Sequence, residues 1–242
     1  MLRRAFPFPL FFALALAATP AVAAEDISRV NGGIEVAAGE QAGDLSTVNG
    51  GIRIGDGAVF KDATTVNGGI RAGSRIQGGE LTTVNGGVRL GEQAQVESIA
   101  TVNGKIEAGP GLRASDDVDS VSGSIFIDRG GRVDGSVSTV SGGIGLVGTE
   151  VTGNVETVSG DITIGVGSHV HGDLRVRKSS GGNWIRFGTS RTPRIVIGPD
   201  AVVGGTLQFD HEVKLYVHET ATTGAINGAT PVPFSTARAP KD

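Results

Sequence analysis

The residues with the clearest capacity for chemistry include the four histidines of the chain. His169 and His171 flank Val170, so both imidazoles are expected on the outer side of one strand. An H-x-H pair can bind zinc or copper, but two ligands are too few for a closed tetrahedral site. The pair is therefore a weak metal candidate beside the simpler interpretation of a solvated strand face. No cofactor is predicted.

Arginines recur at a fixed spacing in the N-terminal half. Arg53, Arg71 and Arg89 are evenly spaced, and Glu35 and Glu107 continue the same spacing beyond either end of the row. If one repeat forms one coil, neighbouring arginines lie about 4.8 Å apart and repel each other. Such a row could bind an anionic glycan or a lipid head group. The alternative is that the charges are solvated and the glutamates relieve the repulsion.

A second binding candidate lies in residues 176–194, which hold the only tryptophan and no acidic residue. Trp184 and Phe187, with Arg186 between them, could stack on a sugar or a base. The alternative is that both rings anchor an enlarged coil or a protruding loop on the flank of the fold.

Composition argues against most catalytic chemistry. The chain has no cysteine, which excludes thiol catalysis, Cys-ligated zinc and an acylated lipoprotein. The carboxylates are scattered, and no repeated acidic column with a basic partner appears. A net charge of -4 offers no argument for a nucleic-acid partner. We therefore predict that the protein is not an enzyme, with a polysaccharide-active enzyme beside 176–194 as a remote alternative.

A repeat positions these residues. The tetrapeptide V-N-G-[GK] recurs with a period of about 18 residues and continues as V-S-G-x at the same interval or one position more. Apolar residues alternate four and six positions after each valine, which indicates short strands with one buried face. The repeats begin at Val30, Val48, Val66, Val84, Val102, Val121, Val140 and Val158.

Composition agrees with many short strands and tight turns. Glycine accounts for 40 of 242 residues, and this glycine content disfavours helical bundles. Aromatic residues make up only 5% of the chain. We predict an all-β fold: a single-stranded parallel β-helix (β-solenoid) with about 18 residues per coil, roughly ten coils and a triangular cross-section. Asparagine side chains would form a structural ladder at one corner. They are Asn31, Asn49, Asn67, Asn85 and Asn103.

The termini differ from the repeat. Residues 1–23 combine Arg3 and Arg4, an apolar run and Ala21-Val22-Ala23, which predicts a cleaved signal peptide. Residues 24–228 are assigned to the solenoid, and 229–242, rich in proline, to a flexible tail. No later segment is long and apolar enough to span a membrane.

Several phrases resemble known repeat families. T-V-N-G-G-I-R-I at 47–54 and T-V-S-G-D-I-T-I at 157–164 resemble the bacterial putative-adhesin β-helix repeat family. G-R-V-D-G-S-V at 131–137 and D-A-V-V-G-G-T-L at 200–207 resemble bactofilins, the polymer-forming cytoskeletal family. The first resemblance implies an exported envelope protein. Bactofilins typically lack a signal peptide, so the predicted signal departs from their pattern.

The handedness of the coil has two interpretations. A right-handed coil is favoured, although a repeat of this length suits either hand. Val48, Ile54, Phe60 and Val66 are spaced by six, which resembles left-handed hexapeptide acyltransferases. Those enzymes use a catalytic histidine, and the N-terminal coils contain none.

Together these patterns favour an exported, non-enzymatic structural or adhesive module of a bacterial cell envelope, in the periplasm or at the cell surface. The alternative is a carbohydrate- or lipid-binding module that uses the arginine row or the Trp184 segment. Envelope glycan or another envelope protein is the expected partner. An uncapped terminal coil could also add another chain end to end.

Overall fold

A computed structural model describes residues 24–178 and 191–240. In these residues the chain forms strands and turns, and three parallel sheets stack as a β-solenoid of eleven turns. The predicted all-β parallel solenoid is confirmed. No helix in the described part of the chain has the length and apolar character of a membrane span.

Each of the first two sheets contains eleven strands and runs the length of the rod. Sheet A contains β1 (Ile27–Asn31), β3 (Leu45–Asn49), β5 (Ala63–Asn67), β7 (Leu81–Asn85), β10 (Ile99–Asn103), β13 (Val118–Ser120), β16 (Val137–Thr139), β19 (Val155–Thr157), β22 (Leu174–Val176), β25 (Leu207–Phe209) and β28 (Ile226–Asn227). Sheet B contains β2 (Ile34–Val36), β4 (Ile52–Ile54), β6 (Ile70–Ala72), β8 (Val88–Leu90), β11 (Ile106–Ala108), β14 (Ile125–Ile127), β17 (Ile144–Leu146), β20 (Ile162–Ile164), β23 (Arg194–Ile197), β26 (Lys214–His218) and β29 (Pro231–Phe234).

The third sheet is shorter. In the first coils it is reduced to single bridges that join Gln41, Val59, Gln77 and Gln95. Its strands are β9 (Gln95–Val96), β12 (Arg113–Ala114), β15 (Arg132–Val133), β18 (Glu150–Val151), β21 (His169–Val170), β24 (Val202–Val203) and β27 (Thr222–Thr223). We call it sheet C.

The repeat length sets the register, because each residue pairs with the one that occupies the same position in the next coil. Ile34 pairs with Ile52, and Ile52 with Ile70. Isoleucine, valine, leucine and alanine fill the interior, and most of them are fully buried. Stacking thus buries the apolar face that a single coil would leave in water.

The motif T-V-N-G owes its residue types to a corner between sheets A and B. The threonine points inward, and Thr65 Oγ1 donates to the Gly50 carbonyl at 2.8 Å. A Cβ on Gly68 would overlap that same carbonyl. The glycine is therefore needed for close stacking.

The continuous apolar core includes two phenylalanines, although aliphatic side chains fill most of it. Phe60 and Phe209 are 5% and 4% exposed. Gly78, in the coil after Phe60, leaves room for its ring, because a Cβ on Gly78 would overlap the ring carbons. A large ring in one coil is therefore accommodated by a residue without a side chain in the next coil, which keeps the interior closely packed.

The C-terminal segment corrects the predicted domain bounds. Residues 229–242 were expected to form an unpaired tail, but β29 pairs in parallel with β26. This strand completes an eleventh coil, where roughly ten were predicted. Proline is tolerated there because β29 is the last strand of sheet B and needs no donors on its free side.

Most of the segment predicted to form an enlarged coil or a loop, 176–194, lies outside the described residues, and only the pairing of its flanks is seen. Ile162 pairs with Ile195, 33 positions later, whereas Ile144 pairs with Ile162, 18 positions later. The extra residues follow β22 and precede β23 in the chain.

Candidate functional site

The arginine row lies on the outer side of sheet B. Parallel pairing joins Glu35 to Arg53, Arg53 to Arg71, Arg71 to Arg89 and Arg89 to Glu107. All three arginines are exposed, because each stands between two buried residues of its strand. The structure therefore brings together the row that the repeat spacing predicts.

The three arginines differ in their partners. Arg89 donates through Nε to Glu107 Oε2 at 2.8 Å, and its terminal nitrogen also pairs with this carboxylate. Among the described residues, Arg53 and Arg71 form no ion pair. Their guanidinium groups lie on neighbouring strands about 4.8 Å apart. The free positive charge of the row is thus concentrated at Arg53 and Arg71.

A groove runs beside the row. One part, of 420 Å³, is lined by Glu35, Arg53, Arg71 and the glycines before their strands. A second part, of 220 Å³, shares Arg71 and extends to Lys105 and Glu107. The floor consists of backbone, since the residue before each strand is glycine. These glycines are Gly33, Gly51, Gly69 and Gly87.

An aromatic residue that the sequence interpretation missed continues the same column. Phe126 pairs with Glu107 and is 44% exposed. Its ring lies beside Gly145 of the next coil, where a Cβ would stand 3.3 Å from Cδ2. The signal is present in the sequence, because Phe126 holds the position after Glu107 in the repeat. It is missed when the column is judged by its charges alone.

The other predicted aromatic site falls outside the described residues. Trp184, Arg186 and Phe187 lie between 178 and 191. The flanks of this segment are fixed by ion pairs, Arg177 with Glu156 at 2.6 Å and Arg191 with Asp161 at 3.1 Å.

His169 lies in β21 of sheet C and His171 directly follows that strand; both are exposed, and their rings are stacked with centroids 5.1 Å apart. His171 Nε2 is 3.1 Å from Glu150 Oε1, and Arg132 holds the other oxygen of Glu150 at 2.8 Å. The His171 contact, followed by Arg132, holds the pKa of Glu150 below its usual value. No group of three or more metal-ligating side chains occurs in the described part of the chain.

Several carboxylates hold the coils together. Asp26 Oδ1 accepts from the Asp44 amide at 2.9 Å, and Asp62 and Asp117 make equivalent bonds to the next coil. Burial raises the pKa of Asp119. The neighbouring carboxylates of Asp117, Asp116 and Glu156 raise it further, whereas a bond from Ser138 Oγ at 2.6 Å opposes the shift. These groups are positioned to accept backbone or hydroxyl donors.

Sheet A carries the other distinctive surface. The valine of each V-N-G or V-S-G motif points outward, and six of the ten large apolar side chains that are exposed in the described residues belong to this column. They are Val30, Val48, Val66, Val102, Val121 and Val140. A neighbouring outward column is uncharged over five coils: Ser28, Ser46, Thr64, Thr82 and Ala100. We call these two columns the valine face.

The asparagine ladder forms the edge between the valine face and the arginine groove. Each Nδ2 donates to the Oδ1 of the preceding coil, and the four bonds measure 2.9 to 3.1 Å. The asparagine side chains therefore hydrogen-bond to one another and form the structural ladder predicted for them. The ladder lies between the valine face and the arginine groove along the first five coils.

A cavity of 490 Å³ lies further along sheet B, between the strands and the C-terminal segment. Its lining includes Thr163, Val196 and Phe234, together with residues 237–239. Arg194 donates to the Pro240 carbonyl at 2.7 Å, which holds the segment over the sheet. The C-terminal segment thus bounds the open part of this surface.

Comparison of the chain with protein-family models, with curated proteins and with solved structures finds no match.

Proposed function

We propose that the protein is exported and serves as a structural and adhesive module of a bacterial cell envelope, without enzymatic activity. The valine face is the observation that carries this proposal. Exposed apolar surface of this regularity is typical of an interaction site, because isolated soluble chains keep such patches small. The repetition of one side chain per coil suits a partner that is itself repetitive.

The shape of the molecule supports the same role. Eleven coils at the spacing of parallel strands give a rod roughly 48 Å long. One continuous apolar core connects the coils from Ile34 to Leu215. A rod of this kind holds the equivalent side chains of successive coils at a constant spacing along its length. The carboxylates that bond to neighbouring coils favour scaffolding over acid–base chemistry.

An envelope-sedimentation assay tests the adhesive role. The purified protein is mixed with envelopes of the producing organism and the bound fraction is measured. We expect the parent to co-sediment and the variant Val48→Lys, Val66→Lys to bind several-fold less, because two charges would interrupt the valine face. The control is Val59→Lys, Val166→Lys, which alters valines of similar exposure on other surfaces.

Three outcomes decide the assay. Loss of binding in the face variant alone supports the proposal, provided that circular dichroism shows the same fold. Equal binding by all three proteins, or no binding by the parent, overturns it.

Export has a separate test. N-terminal sequencing of protein from the periplasm or the medium should begin at Ala24, because cleavage is expected after Ala23. A full-length chain confined to the cytoplasm would contradict export.

A further inference from the structure

We propose that the groove beside Arg53 and Arg71 binds a linear polysaccharide that carries carboxylate groups. This inference deepens the adhesive role proposed above, on which it rests, by naming a ligand class for the surface next to the valine face. Three observations carry it: the unequal pairing of the arginines, the glycine floor and the exposed ring of Phe126.

The charge pattern calls for an anion at one end of the groove. Arg89 is neutralised by Glu107, whereas Arg53 and Arg71 have no ion pair among the described residues. Two like charges on adjacent strands destabilise the sheet locally. A carboxylate between them would accept charge-assisted hydrogen bonds from both guanidinium groups and remove the repulsion.

The floor suits the hydroxyl groups of a sugar. Glycine leaves the backbone of Gly51 and Gly69 open, and a Cβ on Gly51 would stand only 3.0 Å from the Gly69 carbonyl oxygen. These carbonyls each accept one backbone bond, as Gly51 does from Ile34 at 3.0 Å. A carbonyl has two lone pairs, so each can accept a second donor. The Gly33 carbonyl, in the first coil, accepts from the Arg29 guanidinium at 2.6 Å, which shows that a carbonyl of this column can accept a side-chain donor.

Phe126 adds a stacking surface one coil beyond the groove. It lies in the same column, three coils beyond Arg71 and therefore about 14 Å away along the rod. Its ring leans against the coil that contains Gly145 and remains 44% exposed. A flat apolar ring in line with two guanidinium groups matches a chain that alternates sugar faces and charges.

Other polyanions fit less well. A membrane surface is attracted by clusters of about 4–8 basic residues, whereas the groove offers three basic side chains without an ion pair in the described part of the chain, Arg53, Arg71 and Lys105. Nucleic acid also needs many phosphate contacts. The carbonyl floor has no role with a membrane surface or with the phosphates of a nucleic acid, whereas the hydroxyl groups of a sugar can donate to it. The geometry therefore favours a polyuronate-like chain along the rod axis.

Calorimetric titration with polygalacturonate tests the inference. Three variants are compared with the parent: Arg53→Ala, Arg71→Ala; the charge-matched control Arg113→Ala, Arg129→Ala; and Phe126→Ala. We expect the first to bind at least about tenfold more weakly, as each lost charge-assisted contact is substantial. The charge-matched control should change affinity by less than about twofold, because those arginines lie outside the groove.

Further probes separate the contributions. Phe126→Ala should weaken binding of polygalacturonate but leave binding of inorganic polyphosphate, which has no sugar ring, unchanged. Fully methyl-esterified polygalacturonate should not bind, because it has lost its charge. Equal losses in both arginine pairs would overturn the inference. So would stronger binding to phosphatidylglycerol vesicles than to polygalacturonate, or no binding of polygalacturonate at all.

The two proposals fail in distinguishable ways. If the groove variants bind envelopes normally and the parent does not bind polygalacturonate, the ligand proposed for the groove is wrong but the adhesive role of the valine face stands. If the valine-face variant keeps both its envelope binding and its polygalacturonate affinity, the adhesive role of the valine face is wrong while the groove still binds.

Discussion

Nδ2 of Asn67 donates to Oδ1 of Asn49 over 2.9 Å, although 18 positions separate the two residues in the chain. Asn85 donates to Asn67 in turn at 3.0 Å. Every amide in the ladder points the same way, so the bonds polarise one another. The ladder therefore ties local sequence to the stacking of coils.

Substitution of Asn67 should show how much this ladder stabilises the solenoid. Asn67→Asp replaces the donor with an acceptor, which would face Asn49 Oδ1 without a proton between them. We expect it to lower the free energy of unfolding by about 1–3 kcal/mol. Asn67→Ser should cost less, because serine holds this position in later coils. Urea unfolding measures both, and equal midpoints for the two variants would contradict the ladder's role.

Two glycines should respond differently to alanine. A Cβ on Gly68 would overlap the Gly50 carbonyl, whereas Gly57 has open space but a φ of +67°. Gly57→Ala should cost about 1–2 kcal/mol for the left-handed backbone. Gly68→Ala should cost more, because the coils must separate. Thermal melting of the two variants compares them, and a smaller effect at Gly68 would refute the stacking argument.

The prolines of β29 should prevent further strand addition. Glu219 donates to the Phe234 carbonyl at 3.0 Å, so by alternation the peptide groups of Pro231 and Pro233 face the free edge. Proline presents no donor there. Pro231→Val, Pro233→Val should therefore increase end-to-end association in sedimentation velocity, with Pro240→Val as the control. A variant that sediments like the parent at high concentration would show that this edge is protected otherwise.

Replacing Asp119 or Asp173 by asparagine should shift the melting temperature in opposite directions at neutral pH. The pKa of Asp119 is raised by burial, so its stabilising contribution is present below the unfolded pKa of about 3.9 and is lost as pH rises. Asp119→Asn should raise the melting temperature at pH 7 by about 1–3 °C and have little effect at pH 3. Asparagine keeps an acceptor for Ser138.

The pKa of Asp173 is instead lowered, first by the Thr206 amide at 2.7 Å and then by Arg175. The contribution of Asp173 to stability is present above the pKa that its carboxyl has in the unfolded chain. It is lost as the pH falls through the lower pKa of the folded state. Asp173→Asn should therefore lower the melting temperature at pH 7. The same sign for both variants would be inconsistent with these environments.

Zinc should leave the melting temperature unchanged. His169 and His171 supply two imidazoles, and the nearby Glu150 is already held by Arg132 at 2.8 Å. A closed site needs four ligands. Melting with and without zinc checks this expectation, and a rise that disappears in His169→Ala, His171→Ala would establish a metal site.

Much of the fold was predictable because the repeat turns sequence spacing into spatial contact. Residues one repeat apart become neighbours on adjacent strands, so the spacing alone places Arg53 beside Arg71. The tail was mispredicted because prolines usually end strands, and only a strand at the edge of a sheet tolerates them. The fate of 229–242 thus depended on which strand came last.

What the sequence determined by itself is the period, and with it the buried columns, the asparagine ladder and the row of arginines. Tertiary structure alone decided the rest. It showed that Arg89 is paired while Arg53 and Arg71 form no ion pair in the described residues, that valine rather than threonine faces outward, and that the ring of Phe126 stays exposed beside Gly145. The physical reason is that the period sets contacts between coils, whereas side-chain direction and ion pairing depend on how each corner turns and which rotamers the neighbours leave open.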